Sequence, residues 1–328
     1  MSFDFDALQV VSGAAIDAAL PLADGVEVIE AAMREVSAGR ADQPLRWLMP
    51  LGGGNGMGVM PGAMRSPAVH GMKLISLYPD NPKRGLPSHL GMMLVFDSQT
   101  GMPLAVLDAS VLTTRRTAAA TVVATRALAR PEARVHAILG TGELAEAHVR
   151  AFAATMPFAE TRIWGRRREA AEALAGRIGD TGGTIRPVVR LEDAVAGADV
   201  VTTVTAARTP ILFGRDLEPG QHVNLVGASM ADAREIDDEG VRRGRVYTDL
   251  RASAERQAGE LIGAMAAGAV GPEHLVGEIG AVLLGELAGR SAGAVGAAEI
   301  TIYKSHGVAA QDLAYAGAVL GRRIATLR

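Results

Sequence analysis

Apolar residues recur at helical spacing between residues 12 and 40, at Ile16, Leu20, Val28, Ile29 and Met33, and the stretch closes at Gly39. One helix is predicted there. From 44 to 108 the texture changes. Short apolar runs (Val59-Met60, Met72–Leu77, Met92–Phe96, Leu104–Leu107) are separated by Gly, Pro and Asn clusters, which predicts strands joined by tight turns. Ser98-Gln99-Thr100-Gly101 is a turn candidate between two of them. A Thr- and Ala-rich helix is predicted over 110–129, stopped by Pro131.

From 133 to 250 strand and helix alternate. Strands are predicted at Val135–Leu139, Thr161–Trp164, Ile185–Val189, Asp199–Val204, His222–Val226 and Val246-Tyr247. Helices are predicted from the glycine loop to Met156 and over Arg168–Ile178. Such alternation predicts a doubly wound parallel sheet. Residues 253–290 read as helical, Glu299–Tyr303 as a short strand and Val308–Arg323 as a last helix. The β-rich part lacks a closing helix of its own, so the last helix is expected to return to it. The fold class expected is α/β: a Rossmann doubly wound parallel sheet plus an α+β N-terminal domain completed by the C-terminal helix.

Composition narrows the function. The 328 residues exceed one ordinary core and fit two domains. A net charge of −3, with arginines scattered rather than striped, gives no electrostatic footprint for nucleic acid or an anionic membrane. There is no cysteine, which removes disulfides, thiolate nucleophiles and zinc–thiolate sites. No run approaches the ~18 apolar residues of a membrane span. The opening Met1-Ser2-Phe3-Asp4 has neither the basic nor the apolar region of a secretory leader, so a cytoplasmic location is expected.

Gly140-Thr141-Gly142-Glu143-Leu144-Ala145 follows a strand and opens a helix. The first glycine permits a sharp turn, and the second lets backbone approach a pyrophosphate. The small Ala145 lets helix and strand pack closely, and the helix N-terminus supplies N–H groups. An ordinary βα turn could carry the same glycines; the surrounding alternation favours a nicotinamide dinucleotide site. At the end of the second strand, Trp164 runs into Gly165-Arg166-Arg167-Arg168 with no acid before Glu169. Guanidiniums suit a 2′-phosphate, so NADP(H) is preferred and NAD(H) is the alternative. A solvated basic helix start is the other reading.

Lys73 lies inside the apolar strand Gly71-Met72-Lys73-Leu74-Ile75, Arg46 in Pro44–Leu48, and Arg116 at the helix before the Rossmann unit. Lys73 could be an edge residue whose ammonium snorkels to water. Together the three could form an anion pocket for a carboxylate, and a lysine of lowered pKa could relay protons. His89 and His306 lie in loop-like contexts without a partner at metal-ligand spacing, so no metal is expected.

Four stretches then carry a resemblance: Gly71–Ile75 with Asn81 and Leu86-Pro87; Thr100–Ala105 running to Thr113–Ala119; Gly140–Ala145; and Glu299–Gly307 with Asp312. The chain resembles the ornithine cyclodeaminase/μ-crystallin family over nearly its whole length, departing at Leu144, where the family usually has Gln. The resemblance implies a homodimer. Residues 1–115 with 305–328 would form its substrate-binding and dimerisation domain, and 116–304 the NAD(P)-binding domain. It implies hydride transfer at the α-carbon of an amino or imino acid. Arg46, Lys73 and Arg116 would hold the carboxylate, Lys73 near the reacting nitrogen, and Thr117 would reach the cofactor. Further cofactor contacts are expected from Gly165, Arg166, Arg167, Thr203, Val204, Thr205, Val226, Ser305 and Gly307.

The cyclodeaminases have a catalytic aspartate two residues after the glycine closing a late Rossmann strand. Here Asn224-Leu225-Val226-Gly227-Ala228-Ser229 puts Ser229 in that place. Serine cannot act as a carboxylate base, and Ser229 with Trp164-Gly165-Arg166 is similar to the ketimine-reductase branch instead. The reading is an NAD(P)H-dependent reductase of cyclic imine α-carboxylates. An alanine-type dehydrogenase, an ornithine or lysine cyclodeaminase, and a non-catalytic small-molecule binder are the rivals.

Overall fold

A computed structural model describes residues 5–290, 293 and 295–327. Met1–Asp4, read above for a leader, lie outside the described residues. The chain forms two compact units: one runs to Arg116 and resumes at Gly307, and the other is Thr117–His306.

The first unit opens with β1 (Gln9–Val11), α1 (Gly13–Ala19) and α2 (Leu22–Ser37). The single helix expected over 12–40 is therefore two. Pro21 has no N–H for the ladder and disfavours helical backbone at the residue before it; Leu20 sits at φ −129°, ψ 102°. Next come β2 (Ala41–Asp42), β3 (Trp47–Gly52), β4 (Asn55–Met64), β5 (Val69–Leu77), β6 (His89–Asp97) and β7 (Pro103–Asp108). They form one sheet in the order β1-β7-β6-β5-β4-β2, with β3 also pairing β4. β3 is not among the expected strands although Trp47-Leu48-Met49 is apolar; Gly52-Gly53-Gly54, all at positive φ, make the turn from it into β4. His89 starts β6 rather than lying in a loop. α3 (Ala109–Leu128) follows, its first turn capped by Asp108, whose Oδ1 accepts from the Ser110 and Val111 N–H groups at 2.8 and 3.2 Å.

The second unit is the predicted alternation: β8 (Val135–Leu139), α4 (Glu143–Thr155), β9 (Glu160–Trp164), α5 (Arg168–Ile178), β10 (Thr184–Val188), α6 (Leu191–Val195), β11 (Val200–Thr203), β12 (His222–Leu225), α7 (Asp238–Arg243) and β13 (Gly244–Thr248). The segment 253–290 is not one helical stretch. It holds α8 (Arg251–Gln257), α9 (Gly259–Ala266), β14 (Leu275–Glu278) and α10 (Ile279–Leu283). Gly268, at φ +70°, ends the helical run, and β14 is too short to show a period. β15 (Ile300–Lys304) completes a parallel sheet ordered β10-β9-β8-β11-β12-β15-β13-β14. With β15 in sixth place, its first six strands have the Rossmann order, reversing between β8 and β11. β11, β12 and β15 are buried along their whole length, as central strands covered on both faces are.

The chain then returns to the first unit as α11 (Ala309–Leu327), which packs on α2 and against β4, β5 and β6. That is the closing helix the sequence pattern called for.

Candidate functional site

In the first unit, β5 lies between β4 and β6, with Met60 and Met93 opposite Lys73. Lys73 is therefore not an edge residue. It is 1% exposed, and its ammonium meets the Asp312 carboxylate at 2.6 Å and the Thr113 hydroxyl at 3.2 Å. Thr113 and Arg116 are three apart on α3 and share a face. Arg116 Nε donates to the other Asp312 oxygen at 2.9 Å, and Nη1 donates to Gln311 Oε1 at 3.0 Å. Asp312 is fully buried in the first turn of α11, where a carboxylate also suits the helix dipole. Burial pushes the Lys73 pKa down to about 7; Asp312 opposes the shift, while Arg116 and Arg46 add to it.

Gly307 belongs to this cluster rather than to the dinucleotide unit. It turns the chain into α11 at φ +68°, and a Cβ there would run into the Arg116 guanidinium. Its carbonyl accepts from Arg46 Nη2 at 3.2 Å. Asp312 is thus shared by Lys73 and Arg116, with Arg46 near enough to act on the Lys73 charge, a clustering of cations that suits an anionic ligand. Asp312 and Gln311 are the members that sequence reasoning passed over as site residues. They are two adjacent polar residues in an otherwise apolar helix start, and their partners come from other elements.

In the second unit, Gly140 lies at φ +138°, and a Cβ there would stand 2.9 Å from the Val204 carbonyl oxygen. Gly142 has open space where a Cβ would be, and it caps α4 with no side-chain hydrogen bond, so the first N–H groups of α4 keep their anion-binding capacity. Ala145 is buried with Ile138, Val149 and Ile163, and the unusual Leu144 packs on the same cluster. Gly165 lets the end of β9 approach the loop: its Cβ would stand 2.5 Å from Thr141 Cγ2. Arg166 and Arg167 are exposed with no side-chain hydrogen bond or ion pair among the described residues, whereas Arg168 is held by Glu172 at 2.7 Å. Ser305, beyond β15, has a buried hydroxyl with no partner among the described residues.

These features fit a nicotinamide dinucleotide. Gly140→Ala, which adds a strained φ and a clash with Val204, should weaken dinucleotide affinity at least about tenfold, read by titrating the fluorescence of the reduced nicotinamide.

The remaining residues singled out in the sequence make contacts within the protein. Thr117 is buried, with its carbonyl accepting from Thr121, and Val226 lies in the apolar cluster below the loop. Thr203 and Thr205 give their hydroxyl protons to Glu235, an acid that nothing in the sequence singled out. Ser229 is half-buried, just after Ala228, whose carbonyl accepts from Lys304. His306 is buried and anchored through its N–H to Asp249 at 2.9 Å.

A Rossmann sheet with an open glycine loop, on a chain that also builds a buried cationic cluster, defines a dinucleotide-dependent oxidoreductase. The chain belongs to the ornithine cyclodeaminase/mu-crystallin family, whose model matches residues 8–325. It is 37% identical to the ketimine reductase mu-crystallin of Mus musculus over 289 residues, covering 87% of each chain. The Δ1-pyrroline-2-carboxylate reductase of Thermococcus litoralis, solved with NADH and L-proline, superposes with a TM-score of 0.92 at 28% identity and covers 97% of this chain and 98% of its own. An archaeal alanine dehydrogenase dimer with bound NAD gives 0.90 at 27% identity, covering 98% and 97%. Among the described residues, no helix is long and apolar enough to cross a membrane.

Proposed function

We propose that this chain reduces imine α-carboxylates, cyclic ketimines such as Δ1-pyrroline-2-carboxylate or Δ1-piperideine-2-carboxylate, to L-amino acids with a reduced nicotinamide dinucleotide. The observation that carries this reading is the buried Lys73–Asp312–Arg116 cluster with Arg46 beside it. Bound NAD(P)H supplies a hydride to the imine carbon. Arg116, its Nε and Nη1 held by Asp312 and Gln311, presents its remaining face to the substrate carboxylate, and Arg46 contributes a second guanidinium. Lys73, poised near neutrality, hands a proton to the imine nitrogen as the carbon accepts the hydride, then regains one from water. C=N thereby becomes CH–NH with charge balanced.

Incubation with NADPH or NADH and each cyclic imine, following nicotinamide absorbance, tests the reading. Oxidation with neither imine would sink it. Ornithine-dependent release of ammonia and proline would favour the cyclodeaminase rival instead, against the serine at 229.

We further propose that the cofactor is NADP(H), because Arg166 and Arg167 are uncommitted at the strand end where a 2′-phosphate would sit. Arg166→Ala combined with Arg167→Ala should raise KM for NADPH about ten- to a hundredfold while leaving KM for NADH nearly unchanged. An equal rise for both would count against the assignment. We also propose a homodimer in the cytoplasm. On the first unit's sheet, Val10, Leu90 and Met92 are exposed beside buried Val11 and Met93, and Trp47 on β3 is 59% exposed. A sheet apolar on both faces calls for a second layer, and a second copy supplies one. Sedimentation should give twice the 34.0 kDa of one chain.

A further inference from the structure

Glu235 is fully buried, and the chemistry above makes no use of it. Its Oε1 accepts from the Thr205 N–H at 2.8 Å and the Thr205 hydroxyl at 2.7 Å. Its Oε2 accepts from the Thr203 hydroxyl at 2.8 Å, the Gly227 N–H at 2.8 Å and the Ala228 N–H at 3.2 Å. One carboxylate therefore ties the loop leaving β11 to the loop leaving β12. The loops press so closely that a Cβ on Gly227 would collide with Thr205 backbone and with Glu235 itself. Glu235 is fixed in turn: its carbonyl accepts from the Ile211 and Leu212 N–H groups at 3.0 Å each, and its own N–H donates to Glu260 Oε1 at 3.3 Å. Glu260 pairs with Lys304 at 3.1 Å, and Lys304 holds the Ala228 carbonyl.

In a Rossmann sheet the dinucleotide crosses the point where strand order reverses, with one mononucleotide on each half. The Gly140 loop and Arg166 belong to the β8–β9–β10 half, which takes the adenosine side. The two loops clamped by Glu235 end the first strands of the other half, which takes the nicotinamide side. We infer that Glu235 is a positioning residue: through Thr203–Thr205 and Gly227-Ala228 it shapes the seat of the nicotinamide ring, and it contributes nothing to holding the adenosine portion. The inference rests on the dinucleotide reading above.

Glu235→Gln keeps the shape but turns one acceptor into an NH₂ facing donors, so the clamp opens on one loop. The full-length variant and wild type are titrated with NADPH and with 2′-phospho-ADP-ribose, which lacks the nicotinamide. The variant is expected to bind NADPH about tenfold more weakly or worse, with fragment affinity within about twofold of wild type. Equal weakening of both ligands, or of neither, overturns the role. Should Glu235→Gln not fold, Thr205→Val removes one hydroxyl donor and should shift the same ratio about threefold; an unmoved ratio overturns the role there too. A wild-type protein that binds neither ligand is titrated with NADH and ADP-ribose in their place; binding of none of the four sinks the dinucleotide reading and this role together, whereas wild-type binding with an unmoved ratio sinks the role alone.

Discussion

Lys73→Met should lower kcat/KM for imine reduction by about 10²- to 10⁴-fold, the usual worth of a positioned proton donor, while dinucleotide affinity stays near wild type. Methionine fills the lysine's place between Met60 and Met93 without a charge, and Asp312 keeps Arg116 as its partner. Loss of activity without loss of cofactor binding would separate a catalytic ammonium from a structural one. Activity within tenfold of wild type would remove Lys73 from the chemistry.

The same residue sets a pH dependence. As donor, Lys73 must carry its proton, and its pKa lies near 7 because burial disfavours the ammonium. Activity should therefore be full on the acid side and fall about tenfold per pH unit above 7. A profile flat to pH 9 would place the donor elsewhere.

Asp312→Asn should produce the largest loss of stability. Asp312 is the carboxylate between two buried cations, and breaking a buried pair from one side costs about 3–5 kcal/mol because the remaining charge is left uncompensated. A fall in Tm of roughly ten degrees by calorimetry is expected. Adding Lys73→Met should return part of that loss, since one orphaned cation is gone; strict additivity would show that the pair is not coupled. Asp312 also holds the Lys73 pKa up, so any activity left in Asp312→Asn should show its basic limb at lower pH than wild type.

The two halves of this chemistry were unequally legible in the sequence. Gly140–Ala145 and Arg166-Arg167 are contiguous, and each stands at a strand end with its own backbone or side chain open, so their character shows in the order of residues. The strands of the second unit were equally plain, because central parallel strands are buried on both faces and read as apolar runs. Exceptions were Pro21, which divides an otherwise periodic stretch, and β14, a four-residue strand with a glycine inside it.

Lys73 illustrates the limit. Alone in an apolar strand it reads more readily as a snorkelling edge residue, and only its place between β4 and β6, with α11 bringing Asp312 from the far end of the chain, makes it a buried, poised ammonium. Glu235 is similar: a single acid in a loop whose five donors come from the end of β11 and the loops after β11 and β12. By itself the sequence determined the layers of the fold and the character of the dinucleotide loop, since both depend on neighbours along the chain. The tertiary structure decided which charges are buried and paired, because burial and pairing are set by residues that meet only when distant elements pack.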